Sequence, residues 1–222
     1  MTWNVPNILT VIRLLAAPAL AVMFLYFNTP WADWFALILF VTAALTDFVD
    51  GYLARAWKQE SKFGAMLDPI ADKAMVLIAL LVIIGFSGVK AWILLPATMI
   101  FFREVFVSGL REFLGDKASK LQVTKLAKWK TTAQMIAIAV LFSQGIFADR
   151  FVELTQAMDP QMIDAILAGE QEDLSGLLWV QKGANASYYG GIVLLWIAAA
   201  LTLVTGWDYF VKALPFLKDD TK

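Results

Sequence analysis

The sequence predicts an all-α integral membrane protein, a bundle of six spanning helices, on three observations. The 222-residue chain is 60% hydrophobic with a mean hydropathy of +0.67, beyond what an ordinary soluble domain carries. Six separate windows reach the ~18 apolar residues that cross a bilayer. Lys and Arg collect in alternate connections, as an even number of crossings requires.

The spans are expected at 8–27, 32–54, 65–87, 90–112, 127–147 and 188–212. Pro6 and Asn7 suit the start of the first. Arg13 is the only early positive charge and stands inside the apolar stretch, so the first span is expected to be retained, not cleaved as a signal peptide. Gly51 falls near the inner end of the second span, and Gly64 precedes the third. Arg55, Lys58 and Lys62 follow the second span. Arg111, Lys117, Lys120, Lys125, Lys128 and Lys130 follow the fourth. Lys90 alone lies between the third and fourth, and 148–187 is acidic. Basic connections stay in the cytoplasm. The expected orientation therefore puts both termini inside and 148–187 outside, as an extracytoplasmic insertion in a single membrane domain, 1–222. Within that insertion, Met162, Ile163, Ile166 and Leu167 have the spacing of an interfacial helix. A surface loop is the competing reading.

The chain has no Cys and no His. Disulfides, thiolate chemistry and serine–histidine catalysis are excluded. A metal site here has oxygen ligands, which favours Mg²⁺, Mn²⁺ or Ca²⁺ over Zn²⁺ or Cu. The net charge of −1 identifies no partner, and no nucleic acid is expected.

Four aspartates carry the functional argument. Asp47 and Asp50 are three apart and share a face of the second helix. Asp68 and Asp72 are four apart and share a face of the third. A short connection makes these helices an antiparallel hairpin whose carboxylate faces can meet. One such acid is readily explained as a solvated helix end. Four at these spacings point to function, because an ionised Asp at the bilayer centre costs ~2.5–3.5 kcal/mol. Crowded carboxylates repel, and two divalent cations would cancel that charge and clamp the oxygens of a displacement.

The run Asp47-x2-Asp50-Gly51-x2-Ala54-Arg55-x8-Gly64-x3-Asp68-x3-Asp72 resembles the complete signature of the CDP-alcohol phosphotransferase family. The stretches NVPNILTVIRLLAAPAL, REVFVSGLREFLGDK and KLAKWKTTAQM resemble members that use glycerol 3-phosphate. The resemblance implies a six-helix membrane enzyme, commonly a homodimer, in a bacterial inner membrane with its site facing the cytoplasm. It implies transfer of the phosphatidyl group from CDP-diacylglycerol to glycerol 3-phosphate, giving phosphatidylglycerophosphate and CMP, with two Mg²⁺ or Mn²⁺ ions. Carried over by position, Asp47, Asp50, Asp68 and Asp72 hold metal, and Asp72 is also general base on the attacking hydroxyl. Asn7, Thr10, Gly51, Arg55 and Ser61 are the matching CDP-lipid candidates. Asn7 equally suits a cap of the first helix, and Ser61 a plain loop hydroxyl.

A phosphate-bearing acceptor needs fixed positive charge. Arg103 and Arg111 lie two turns apart on one helix face, with Arg103 inside an apolar run and Glu104 as its rival partner. With Lys128 they form the expected glycerol-phosphate pocket. The alternatives are another acceptor, such as inositol phosphate or phosphatidylglycerol, and a cation-coupled transporter.

Overall fold

The computed structural model describes residues 4–57, 61–120 and 125–217, with the side-chain surroundings of 48, 50–55, 116, 119, 120, 125, 127 and 128 outside that description. All described regular elements are helical. They are α1 Val5–Tyr26, α2 Trp31–Ala56, α3 Lys62–Ser87, α4 Ala91–Leu114, α5 Lys125–Thr155, α6 Pro160–Ala168 and α7 Leu177–Leu217, with a 3-10 turn at Gly115–Lys120 between α4 and α5. Among the described residues, five helices are long and apolar enough to cross a membrane: α1, α3, α4, α5 and α7. Leu15, Phe102, Val105 and Trp207 stand exposed on their outer faces. Apolar surface on that scale needs lipid around it, and the chain is an integral membrane protein.

Local sequence chemistry sets the helix ends. Asn4 caps α1 by accepting the Asn7 N–H at 3.0 Å, with Pro6 in the first turn where a missing donor costs nothing. Ser61 caps α3 through the Gly64 N–H at 3.0 Å. Asp159 and Pro160 start α6, and Gly169 ends it in the left-handed region at φ 77°.

The segment 148–187 differs from a single long connection. α5 continues to Thr155, α6 occupies Pro160–Ala168, and α7 begins at Leu177. Hydropathy begins the last window only at 188 because Gln181, Lys182 and Asn185 are polar. The helix continues below that point because α5 and α7 pack together more extensively than any other pair. They approach closely: a Cβ at position 191 would lie 2.7 Å from Leu141 Cδ2, and one at 183 would lie 2.6 Å from Phe147 Cε1.

Asp173 anchors the start of α7. Its Oδ1 accepts the Leu177 N–H at 2.9 Å and the Ser175 hydroxyl at 3.0 Å, and its Oδ2 accepts the Leu178 N–H at 2.8 Å. Desolvation raises this carboxyl, but the Leu178 and Leu177 amides and the Ser175 hydroxyl lower it more. It is held below the ordinary value of 3.8. Its contribution is present above the pKa of an unfolded aspartate and is lost as pH falls through the depressed folded value. Asp173→Ala is expected to speed amide hydrogen exchange at Leu177 and Leu178, and acid is expected to do the same in the parent chain. Unchanged exchange in the variant refutes this anchor.

The main core joins α1 to α5 and α7 through Leu20, Phe40, Met75, Leu80, Ile100, Ile138 and Leu195. Among the described residues, α1 packs extensively on both α2 and α3, whereas α2 and α3 hardly touch. The expected α2–α3 hairpin therefore has α1 between its arms, and this placement shapes the site.

Candidate active site

Asn7, Thr10 and Arg13 recur every three residues on α1, and all three are buried. Each reaches a different part of the aspartate motif. Arg13 Nη1 donates to Asp47 Oδ1 at 2.5 Å and to Asp72 Oδ1 at 2.9 Å. One nitrogen thus draws carboxylates of α2 and α3 to one point. The Thr10 hydroxyl donates to Asp68 Oδ1 at 2.7 Å. Asn7 Oδ1 accepts the Ser61 hydroxyl at 2.8 Å. Asn4, not Asn7, caps α1, and Ser61 is the cap of α3. Gly64 makes this approach sterically possible, since a Cβ there would stand 2.8 Å from Asn7 Oδ1.

The electrostatics follow from this geometry. Arg13 is enclosed, with 2% of its side chain exposed, while Asp47 and Asp72 keep 41% and 40%. A fully charged cation supplies the opposite charge that crowded carboxylates need. The carboxylates stay open enough to meet a ligand from the exposed side. No group of three acids close enough to hold one metal occurs among the described residues. Asp50 belongs to α2, but its side chain lies outside the described residues, as do those of Gly51 and Arg55. Their expected roles therefore have no geometry here.

A second polar cluster joins α3, α4 and α5. Glu104 is buried on α4 and accepts from Arg103 Nη1 at 3.0 Å and from Lys130 Nζ of α5. Lys73, the residue after Asp72, donates to Ser108 Oγ at 2.5 Å, and Ser108 donates to the Glu104 carbonyl at 2.5 Å. Three cations gather around a single carboxylate in a largely enclosed setting. Such an excess of positive charge suits an anionic ligand. Arg111 is not in this group. It is exposed near the end of α4, with its guanidinium 5.7 Å from the centre of the Tyr209 ring. Eight residues put it ~12 Å along the helix from Arg103. Lys128 belongs to α5, with its side chain outside the described residues.

The aspartate spacing did not reveal Arg13, Lys73, Ser108 or Lys130 as site-forming side chains. A signal for Arg13 existed: a lone cation in an apolar run, three residues beyond Thr10 and six beyond Asn7. Lys130 carried none that distinguished it from the other lysines of the basic connection.

Comparison with known proteins agrees with this picture. The family model described as CDP-alcohol phosphatidyltransferase matches residues 3–168. The chain is 63% identical over 221 residues to the CDP-diacylglycerol–glycerol-3-phosphate 3-phosphatidyltransferase of Cereibacter sphaeroides, covering 99% of this chain and 100% of that protein. Proteins of the same name from Rickettsia bellii and Escherichia coli K12 are 37% identical over 209 residues and 34% identical over 221 residues. They cover 93% and 99% of this chain, and 93% and 100% of their own lengths. On this evidence the chain belongs to the CDP-alcohol phosphatidyltransferase family.

Proposed function

We propose that this chain transfers the phosphatidyl group of CDP-diacylglycerol to glycerol 3-phosphate, releasing CMP and forming phosphatidylglycerophosphate. The observation that carries this reading is the junction of the two clusters. Asp72 belongs to the carboxylate group, and the next residue, Lys73, reaches the cations around Glu104. An acceptor whose phosphate rests among Arg103, Lys130 and Lys73 presents its hydroxyl toward Asp72. A phosphate-free acceptor such as serine leaves that positive charge unused.

In this reading Asp72 takes the proton of the primary hydroxyl as its oxygen attacks the phosphatidyl phosphorus, and CMP departs. A positioned base of this kind commonly contributes 10²–10⁴-fold. Arg13 holds Asp72 beside Asp47 throughout, and Thr10 orients Asp68. Divalent ions fit the donors present: oxygen only, with Asp47 and Asp72 convergent and partly open. Asp47, Asp50, Asp68 and Asp72 would hold them, Mg²⁺ or Mn²⁺ being the fitting species. Bound there, such ions neutralise the pyrophosphate oxygens and the departing phosphate. On the CDP-lipid side we retain Asn7, Thr10, Gly51, Arg55 and Ser61, with Arg111 and Lys128 as outer cations on the acceptor's approach.

The proposed placement is a bacterial inner membrane with α2 as the sixth span. Its 26 residues reach ~39 Å, more than the ~30 Å hydrocarbon thickness. Basic residues around the α4–α5 connection support a cytoplasmic site, and the acidic stretch before α7 supports the opposite side for 156–176. The family resemblance supports a homodimer.

CMP release by the purified protein, given CDP-diacylglycerol, glycerol 3-phosphate and Mg²⁺ or Mn²⁺, tests the reaction. No release from folded protein overturns it. Arg103→Ala is expected to raise KM for glycerol 3-phosphate ~10–100-fold, the value of one charge-assisted hydrogen bond of ~1.5–3 kcal/mol, with KM for CDP-diacylglycerol nearly unchanged. Equal rises in both constants contradict the assigned pocket.

A further inference from the structure

Ser108 stands where the two polar clusters meet and carries no charge of its own. It lies on α4 one turn beyond Glu104, and its hydroxyl is engaged twice. It donates to the Glu104 carbonyl at 2.5 Å and accepts from Lys73 Nζ of α3 at 2.5 Å. Among the described residues, Lys73 Nζ has no other hydrogen-bond partner.

The direction of these bonds matters. A hydroxyl has one proton, and here the Glu104 carbonyl takes it. The lone pairs of Ser108 Oγ are left to Lys73, so a neutral acceptor holds the ammonium. A carboxylate in that place would hold it more tightly but cancel its charge. Glu104 Oε1 is already shared by Arg103 and Lys130. Three cations against that one carboxylate leave a surplus of positive charge that matches a phosphate monoester, which carries about −1.5 to −2 at neutral pH. An ammonium has three donors. Lys73 uses one on Ser108 and keeps the others for a ligand.

The same bond sets a spacing. Lys73 directly follows Asp72, and among the described residues α3 and α4 touch only sparingly. The Lys73–Ser108 bond ties the turn of α3 that carries Asp72 to the turn of α4 that carries Arg103 and Glu104.

We infer that Ser108 is a positioning residue for the acceptor: it holds the Lys73 ammonium, still charged, beside Arg103 and Lys130, and so keeps a phosphate-bearing alcohol in register with Asp72. This role rests on the acceptor assigned above and adds the uncharged group that shapes its pocket. Without the hydroxyl, Lys73 is free to turn to Glu104 or Asp72, and a carboxylate then neutralises the charge the acceptor needs.

The test uses the full chain in phosphatidylcholine nanodiscs, with two readouts. Binding of glycerol 3-phosphate is measured by calorimetry without CDP-diacylglycerol, and CMP release is measured with both substrates and Mg²⁺. Ser108→Ala is expected to weaken glycerol 3-phosphate binding about tenfold, the worth of one hydrogen bond to a charged group, and to raise its KM to match, with KM for CDP-diacylglycerol nearly unchanged. The melting temperature is expected to hold, since alanine is the best helix former. Ser108→Thr keeps a hydroxyl able to bond the carbonyl four residues back and is expected to recover binding. Lys73→Met is expected to give the same loss as Ser108→Ala, and the two together no more than either alone, because residues that act through one another are not additive. Unchanged binding in Ser108→Ala overturns the assignment, as does a full further loss when Ser108→Ala is added to Lys73→Met, or a parent chain that does not bind glycerol 3-phosphate. Binding that follows the expected pattern without CMP release from the parent refutes the reaction proposed above and leaves the role of Ser108 standing.

Discussion

Asp72→Asn is expected to remain folded and to lose turnover by at least ~10²–10⁴-fold, the range for a positioned general base. Structure and chemistry respond differently to this change. Arg13 Nη1 reaches Asp72 Oδ1 at 2.9 Å, and an amide oxygen accepts that bond in the same place. Neither a large hole nor an unpaired buried donor results. The chemistry loses more, since an amide takes no proton from a primary hydroxyl and is a weaker cation ligand than a carboxylate. CMP release under saturating substrates, with thermal unfolding measured in parallel, checks both halves. If kcat stays within tenfold of the parent while the protein is folded, Asp72 is not the base. A large drop in melting temperature would instead mark Asp72 as chiefly structural.

Arg13→Gln is expected to cost about 3 kcal/mol in stability, the lower end of the range for breaking a buried ion pair. The lower end applies because Asp47 and Asp72 are 41% and 40% exposed, and water screens part of the charge left behind. For a chain of this size that corresponds to a fall of roughly 6–12 °C in melting temperature. Activity is expected to fall further than unfolding explains, because among the described residues α2 and α3 hardly touch and Asp47 and Asp72 meet through Arg13 of α1. Arg13→Lys is expected to recover only part of either loss. An ammonium is a strongly hydrated point charge on a flexible stem, and it does not reproduce a guanidinium nitrogen held rigidly between two carboxylates. Full activity in Arg13→Gln, measured well below its melting temperature, would show that the carboxylates find their positions without α1.

The interior acids and their spacing were legible before any coordinates, because charges inside apolar runs are costly and therefore informative. The helices themselves were legible too, although hydropathy started the last one eleven residues late. It measures preference for lipid, whereas α7 below 188 is held by packing on α5. Arg103 could be singled out for the same reason as the aspartates. Its companions could not: Lys130 looks like any lysine of the basic connection, and Arg111, on the same helix face as Arg103, lies against Tyr209 instead.

What the residues by themselves determined is the membrane character, the family and the oxygen-only chemistry, since these depend on composition and on periodicity along single helices. Which charges meet was decided only in three dimensions. Partners such as Arg13 with Asp72, Lys73 with Ser108 and Lys130 with Glu104 lie far apart in the chain. No periodicity within one helix specifies which neighbour it packs against. Close packing of whole helices selects those pairs, and with α1 placed between α2 and α3 one guanidinium can serve two carboxylates.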